Sequence, residues 1–347
     1  MIRWVRSVTL VAIAALGVLV LGALTPMPQS PRAGSSLSSG SPGPRERTLL
    51  FVGDVMLSRG VGLIMKARDD WAYPFREVTE TLRAADLAYC NLECPISSQG
   101  RNQHHLYSFR ADPRTVEGLK AAGFTVVSQA NNHTYDWGPA ALLDSLDRLH
   151  AAGIRAVGAG RNDLQAHYPV VVDLGGLKVA LLAYVNIDPK DAMAGIDRPG
   201  VAWLEPDRVL ADIRFARPLA DLVVVCPHWG VEYAAGPTRE QVKLARSMID
   251  AGADLIVGSH PHVVQPLEEY HSRWIAYSLG NFIFDQKNPS TQRGALLNVL
   301  VRGKQIAQVT RIPLRINGNF QAMLAPPRQQ VPKTAAMARR PLPLPAQ

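Results

Sequence analysis

The stretch Ala253-Asp254-Leu255-Ile256-Val257-Gly258-Ser259-His260-Pro261-His262 decides the fold. Its first half is a short apolar run of the kind that makes a fully buried strand. Its second half places two imidazoles two residues apart just beyond that strand. Alternate residues of an extended chain share one face, so both rings are expected to aim past the sheet edge. In open α/β sheets that carboxyl edge is where ligands bind. Three other segments repeat the layout of an apolar run ending in a metal-competent side chain: Leu49 to Asp54, Leu87 to Glu93 and Leu222 to His228. A fourth, Val126 to His133, ends in Asn131-Asn132-His133. Five strand ends thus converge on carboxylate, imidazole and carboxamide groups, the composition of a metal site.

Outward from these ends the elements alternate. Strands are expected at 48–54, 86–92, 124–129, 154–158, 170–173, 178–184, 221–226, 254–257, 274–278 and 295–301. Helices are expected at 74–84, 113–122, 138–152, 206–216 and 237–251. The helix from 138 opens on Gly138-Pro139, with proline pre-set for a first turn, and stops at Gly153. Two apolar runs around Gly175-Gly176 predict a hairpin. Alternation early and strands alone after Trp274 predict an α/β sandwich of mixed sheets flanked by helices.

The two ends read differently from the middle. Arg3 and Arg6 precede an uncharged apolar run from Val8 to Leu24, a basic n-region followed by an h-region. Residues 1–24 are read as an uncleaved signal anchor, with a cleaved signal peptide as the alternative. Either places the folded domain on the extracytoplasmic side of the cell membrane. Residues 25–47 and 325–347 are rich in Pro and small residues and read as a linker and a basic tail, leaving a single domain over 48–324. The net charge of +8 is made by these ends, since residues 1–47 and 325–347 each sum to +4. The domain itself is near neutral, which excludes a nucleic-acid groove and suits an anionic membrane or wall surface near the ends. Cys90, Cys94 and Cys226 are an odd count for an exported chain and are expected to act as small buried hydrophobes.

Hard carboxylates with neutral imidazoles suit manganese, iron or zinc. Asp54 and Glu93 supply negative charge, Asn132 a carbonyl oxygen, and His228, His260 and His262 ring nitrogens. Two such ions clamp both ends of an in-line displacement. His133 is then placed to protonate a leaving oxygen, with Asp136 to orient it. Arg59 and Arg110 are placed to grip a phosphate or carboxylate, and Glu232 to partner His228 from outside. His104 and His105 lie in a polar loop and are expected to face solvent.

Gly53-Asp54-Val55-Met56-Leu57, Asn91-Leu92-Glu93, Asn131-Asn132-His133, His228-Trp229-Gly230-Val231-Glu232-Tyr233, Gly258-Ser259-His260-Pro261-His262 and Tyr277-Ser278-Leu279-Gly280-Asn281-Phe282 resemble the bacterial CapA capsule-synthesis family. That family includes poly-γ-glutamate synthesis proteins and is similar to the calcineurin-like metallophosphoesterases. The resemblance spans about residues 48–302 and implies a four-layered αββα sandwich of two mixed sheets. It implies metal ligation by Asp54, Glu93, Asn132, His228, His260 and His262, and a catalytic role for His133. Two departures stand out. Met56 occupies a place where the wider superfamily has a histidine ligand, and Met is a poor ligand for a hard ion. Asn91-Leu92-Glu93 replaces a Gly-Asp pair, so either Asn91 or Glu93 takes the bridging place. One or two ions are therefore expected. The function implied is a membrane-anchored metal-dependent hydrolase or transferase working with other polymer-synthesis subunits on an anionic polymer or phosphoester. The alternative is a non-catalytic metal-binding assembly subunit of the same machinery.

Overall fold

Successive residues of the strand Glu46–Val55 enter different cores, and this alternation sets the architecture. Leu49 and Phe51 join Leu87, Tyr89 and Val126 from neighbouring strands in one apolar cluster, which also takes in Val179, Leu181, Val224 and Val257. Leu50 and Val52 face the other way, with Ala88, Cys90 and Val127, toward a separate cluster that includes Met65, Leu82 and Leu119. The computed structural model describes residues 45–325. Among them an eight-stranded and a six-stranded sheet pack face to face, with a further two-stranded pair beside them.

The larger sheet runs Ala322–Leu324, Gln305–Ile316, Arg293–Arg302, Glu46–Val55, Leu87–Leu92, Val126–Ser128 and Arg155–Val157, and Asn281–Ile283 also pairs with Glu46–Val55. The smaller runs Leu267–Tyr270, Arg273–Ala276, Leu255–Val257, Leu222–His228, Lys178–Val185 and Val170–Asp173. Helices Arg59–Ala67, Thr79–Arg83 and Thr115–Ala122 cover the outer face of the first sheet through Val61, Met65, Leu82 and Leu119. Helices Pro206–Ala216 and Arg239–Asp250 cover the outer face of the second through Val209, Ile213, Ala245 and Met248. Helix, sheet, sheet, helix is the four-layered sandwich of two mixed sheets. Each buried Leu, Val or Phe adds ~1.5–3 kcal/mol of apolar burial, so both faces of both sheets contribute.

Both sheets are mixed for a reason visible in the chain. Strands joined by helices run parallel, as Leu87–Leu92 and Val126–Ser128 do beside Glu46–Val55. Strands joined by tight turns run antiparallel, as at Asp173–Lys178 around Gly175-Gly176 and at Arg302–Gln305. Helix Gly138–Ala151 opens with Pro139 in its first turn, and Gly153 follows its end at φ 80°. The helix expected over 74–84 is instead a 3₁₀ segment, Tyr73–Val78, followed by a short α-helix, Thr79–Arg83. Helix Arg59–Ala67 and the long strand Gln305–Ile316 add to the expected elements.

The first strand begins at Glu46, inside the stretch read as linker, and Arg47 is buried there with its Nε donating to the Leu174 carbonyl at 2.7 Å. No helix among the described residues is long and apolar enough to cross a membrane. The apolar run from Val8 to Leu24 and the basic tail beyond Ala325 lie outside the described residues.

Candidate metal centre

The site forms where parallel strands of both sheets end. Asp54 pairs with Asn91 on one side and with Asn281 on the other, so three strands deliver polar side chains at one level. A glycine makes the last approach possible. A Cβ on Gly53 would lie 1.7 Å from the Gly280 carbonyl oxygen, and only its absence lets Asp54 N–H reach that oxygen at 3.0 Å.

His228 is the last residue of its strand, while His260 and His262 follow the strand Leu255–Val257. The two later rings do not meet the site through strand alternation, as the sequence had suggested. His260 has φ 97° and His262 φ 58°, both left-handed, so two turns and not an extended run direct them. Backbone strain of this kind is characteristic of ligand-holding segments.

Asp54, Glu93 and His262 offer ligand atoms that all lie within 4.8 Å of one another, and all three residues are buried. Glu93 is fully buried, and neither of its carboxylate oxygens has a hydrogen-bond partner. Burial, and then the Asp54 carboxylate, push its pKa well above the usual carboxylate range. His262 Nε2 stands 3.8 Å from Glu93 Oε1, and His262 Nδ1 2.9 Å from Asn281 Oδ1. Asn281 donates its Nδ2 to Gln286 Oε1 and the Thr291 carbonyl, so its oxygen is the atom facing His262. His262 therefore donates from Nδ1, which also lies 3.4 Å from Asp54 Oδ2, and turns Nε2 toward Glu93, a hydrogen-bonded arrangement that orients a metal-ligating imidazole. Burial alone would lower the His262 pKa, but Glu93 and Asp54 hold it at about 9.

A second donor group adjoins the first. His228 Nε2 is 2.9 Å from Asn132 Oδ1, and the His228 and His260 ring centroids are 4.8 Å apart. His260 Nδ1 is buried without a partner. Burial, then neighbouring histidines, lower both pKa values, His260 to about 3, so both rings are neutral donors. Five buried donors and the half-buried Asn132, with three orphaned atoms, fit a divalent cation and nothing apolar.

His133 packs its ring 4.0 Å from that of Phe109 and has Nε2 3.8 Å from Glu93 Oε1. Its Nδ1 is 2.8 Å from Asp136 Oδ2, which also accepts the Phe109 N–H at 2.7 Å. The other Asp136 oxygen, Oδ1, is 2.9 Å from His105 Nδ1. His105 is thus a correction to the sequence reading, which left it in solvent: it locks the carboxylate that orients His133. Its partner lies 31 residues along the chain in an aperiodic loop, and no local pattern announced it.

The remaining expected residues take distinct places. Met56 is fully buried in the helix-side core, and its sulfur accepts from Ser58 N–H at 3.2 Å and Oγ at 3.1 Å, so it turns away from the site. Arg59 pairs with Asp285 and sits 4.6 Å above the Phe109 ring centroid, one ring removed from His133. Glu232 is exposed on the loop after His228, yet close enough for its charge to add to the field on Glu93. Arg110 stacks 3.5 Å from the Trp137 ring centroid and binds the Gln99 carbonyl, outside the donor cluster. Cys90, Cys94 and Cys226 are buried free thiols. Burial pushes Cys94 and Cys226 up to about 12, so both sit in the core as uncharged thiols.

The chain matches the family model described as bacterial capsule synthesis protein PGA_cap over residues 48–286. It is 37% identical over 277 residues to the capsule biosynthesis protein CapA of Bacillus anthracis, covering 78% of this chain and 67% of that one. It is 34% identical over 273 residues to the PGA biosynthesis protein CapA of Bacillus subtilis strain 168, covering 77% of this chain and 71% of the relative. Among solved structures, a hypothetical protein from Thermus thermophilus aligns with a TM-score of 0.50 at 14% identity, covering 77% of this chain and 99% of that chain, a likeness of fold alone. With the matched region taking in strands of both sheets and every donor of the cluster, the chain belongs to the bacterial capsule synthesis PGA_cap family.

Proposed function

We propose that this protein is a metal-dependent hydrolase or transferase, exported and held at the membrane by its N-terminal segment, that acts on an anionic polymer or phosphoester during capsule or poly-γ-glutamate synthesis or export. One observation carries the chemical part: the Glu93 carboxylate is fully buried, has no hydrogen bond to either oxygen, and clusters with Asp54 and His262. A buried carboxylate left without hydrogen bonds costs several kcal/mol unless a cation meets it. The names of the relatives support the biological setting.

Asp54, Glu93 and His262, with Asn132, His228 and His260 beside them, would hold manganese, iron or zinc. Such an ion supplies Lewis acidity and activates water at neutral pH. The chain's own residues do the rest. Asp136 accepts the His133 Nδ1 proton, which fixes the tautomer and leaves Nε2 directed at the cluster. Once a proton is taken up at Nε2, the imidazolium can deliver it to a leaving oxygen, returning to the Nδ1–H tautomer, or steady developing charge. Phe109 seals one face of the ring and keeps water from it.

The test is metal content and turnover on the same preparations. Purified protein should carry at least one transition ion, and in protein reconstituted with metal together with phosphate or glutarate both His228→Ala and His260→Ala should lower its content. His133→Ala should keep the ion and lose ~10²–10⁴-fold in rate on a phosphodiester or polymer. Absence of any ion after reconstitution with manganese, iron and zinc would overturn the site. A second reading, a metal-holding assembly subunit without catalysis, is favoured by Met56, whose sulfur lies in the core where the resemblance places a ligand. Unchanged polymer production in cells carrying His133→Ala would select it.

A further inference from the structure

The two donor groups differ in charge, and Asn91 stands between them. Asp54 and Glu93 bring two carboxylates to the first group. Asn132, His228 and His260 bring none to the second, since an imidazole ligates a metal in its uncharged form and the third donor is an amide. Between them, Asn91 Nδ2 donates to Asp54 Oδ1 at 2.8 Å and lies 3.1 Å from His228 Nδ1.

The orientation of this amide is fixed by a chain of donors. The His133 N–H and the Thr134 hydroxyl both donate to Asn131 Oδ1. Asn131 Nδ2 must then point the other way, and it donates to the Leu92 carbonyl at 2.9 Å and to Asn91 Oδ1 at 3.1 Å. Asn91 Oδ1 is so occupied that its NH₂ faces the gap between the groups. A donor, with no negative charge, occupies the place from which a carboxylate would reach both.

Two dications a few ångström apart repel strongly in a buried site, and a shared anion between them is what offsets it. We propose that this centre fills in sequence: the carboxylate group holds one divalent ion unaided, and the Asn132–His228–His260 group holds a second only when an oxyanion of the substrate, phosphate or carboxylate, joins it. The proposal rests on the reading that the cluster is a metal centre. It makes the substrate's own charge a condition for the complete site, so that neutral compounds are excluded by an incomplete centre.

The experiment counts ions. Full-length protein is stripped with a chelator, dialysed against manganese alone, with inorganic phosphate, or with glutarate, and its manganese measured by plasma mass spectrometry. One ion per chain is expected with manganese alone and two with an effective oxyanion. Whichever of phosphate and glutarate works identifies the source. Asn91→Asp, which restores a carboxylate between the groups, should hold two without any oxyanion, and His260→Ala should lose only the oxyanion-dependent ion. Two ions in the wild type with manganese alone would overturn the proposal, as would one ion under all three conditions. No ion under any condition would overturn the metal reading itself, a separate failure. If Asn91→Asp does not fold, the wild-type and His260→Ala counts still decide.

Discussion

Replacing Glu93 by Gln should stabilise the metal-free protein and destabilise the loaded one. Glu93 is fully buried with no hydrogen bond to either oxygen, and Asp54, also fully buried, sits within the same 4.8 Å cluster. An unsatisfied buried polar group costs ~1–3 kcal/mol, more when charged, and Gln removes the charge at nearly constant volume. For a domain of this size ~1–3 kcal/mol corresponds to a rise in Tm of about 2–5 °C. The effect has a definite pH sign. Burial and Asp54 raise the folded pKa of Glu93 above its unfolded value of ~4.3. The protonated carboxyl therefore contributes stability below that unfolded value, and the contribution is lost as pH rises through the folded one. The advantage of Gln in chelator should accordingly be small near pH 4 and open as pH rises. With metal the order inverts, because an ion at ~100 times its Kd adds about 2.7 kcal/mol to the wild type and less to a variant lacking one ligand. Calorimetric melts in chelator and in manganese, at several pH values, measure both. A variant less stable than wild type in chelator, or the same ranking in both conditions, would refute the argument.

Three further outcomes follow from neighbouring residues. Because Glu93 and Asp54 hold His262 at about 9 against the effect of burial, the metal-free site is protonated at pH 7; metal uptake should release about one proton and weaken as pH falls below 9. Titration calorimetry in buffers of different protonation enthalpy reads this, and a buffer-independent heat would contradict it. His105→Ala should lower kcat by about tenfold with metal content and KM unchanged, and His105→Asn, whose amide nitrogen can occupy the place of Nδ1, should recover it; equal kcat in all three would remove His105 from the positioning of His133. Gly258→Ala should lower stability by ~1–3 kcal/mol or prevent folding, since its Cβ would lie 2.0 Å from the Tyr277 carbonyl oxygen and 2.7 Å from Trp229 Nε1; a wild-type melting curve would show that the strand ends can part.

What the sequence disclosed and what it withheld have one physical origin. Strands such as Leu222–His228 and Lys178–Val185 are buried on both faces, so their composition alone announces them. Gln305–Ile316 escaped because most of its residues are exposed or half-exposed, with Pro313 and two arginines among them, and its pairing with Arg293–Arg302 and Ala322–Leu324 shows it to be a strand. The donor residues were legible because glycine, asparagine and histidine at strand ends are chemically unusual there. Their division of labour was not. Asn91 and Glu93 lie two residues apart, and the choice between them depends on partners from three other segments. Asn131, 40 residues away, occupies the Asn91 oxygen, Asp54 accepts from its amide nitrogen, and His228 Nδ1 lies 3.1 Å from that nitrogen. Glu93 is left as the carboxylate with both oxygens free. The same contacts that make Glu93 the ligand bar Asn91 from bridging. Ligand identity is thus written locally, whereas the number of ions the site holds is a property of a hydrogen-bond chain that closes only in the fold.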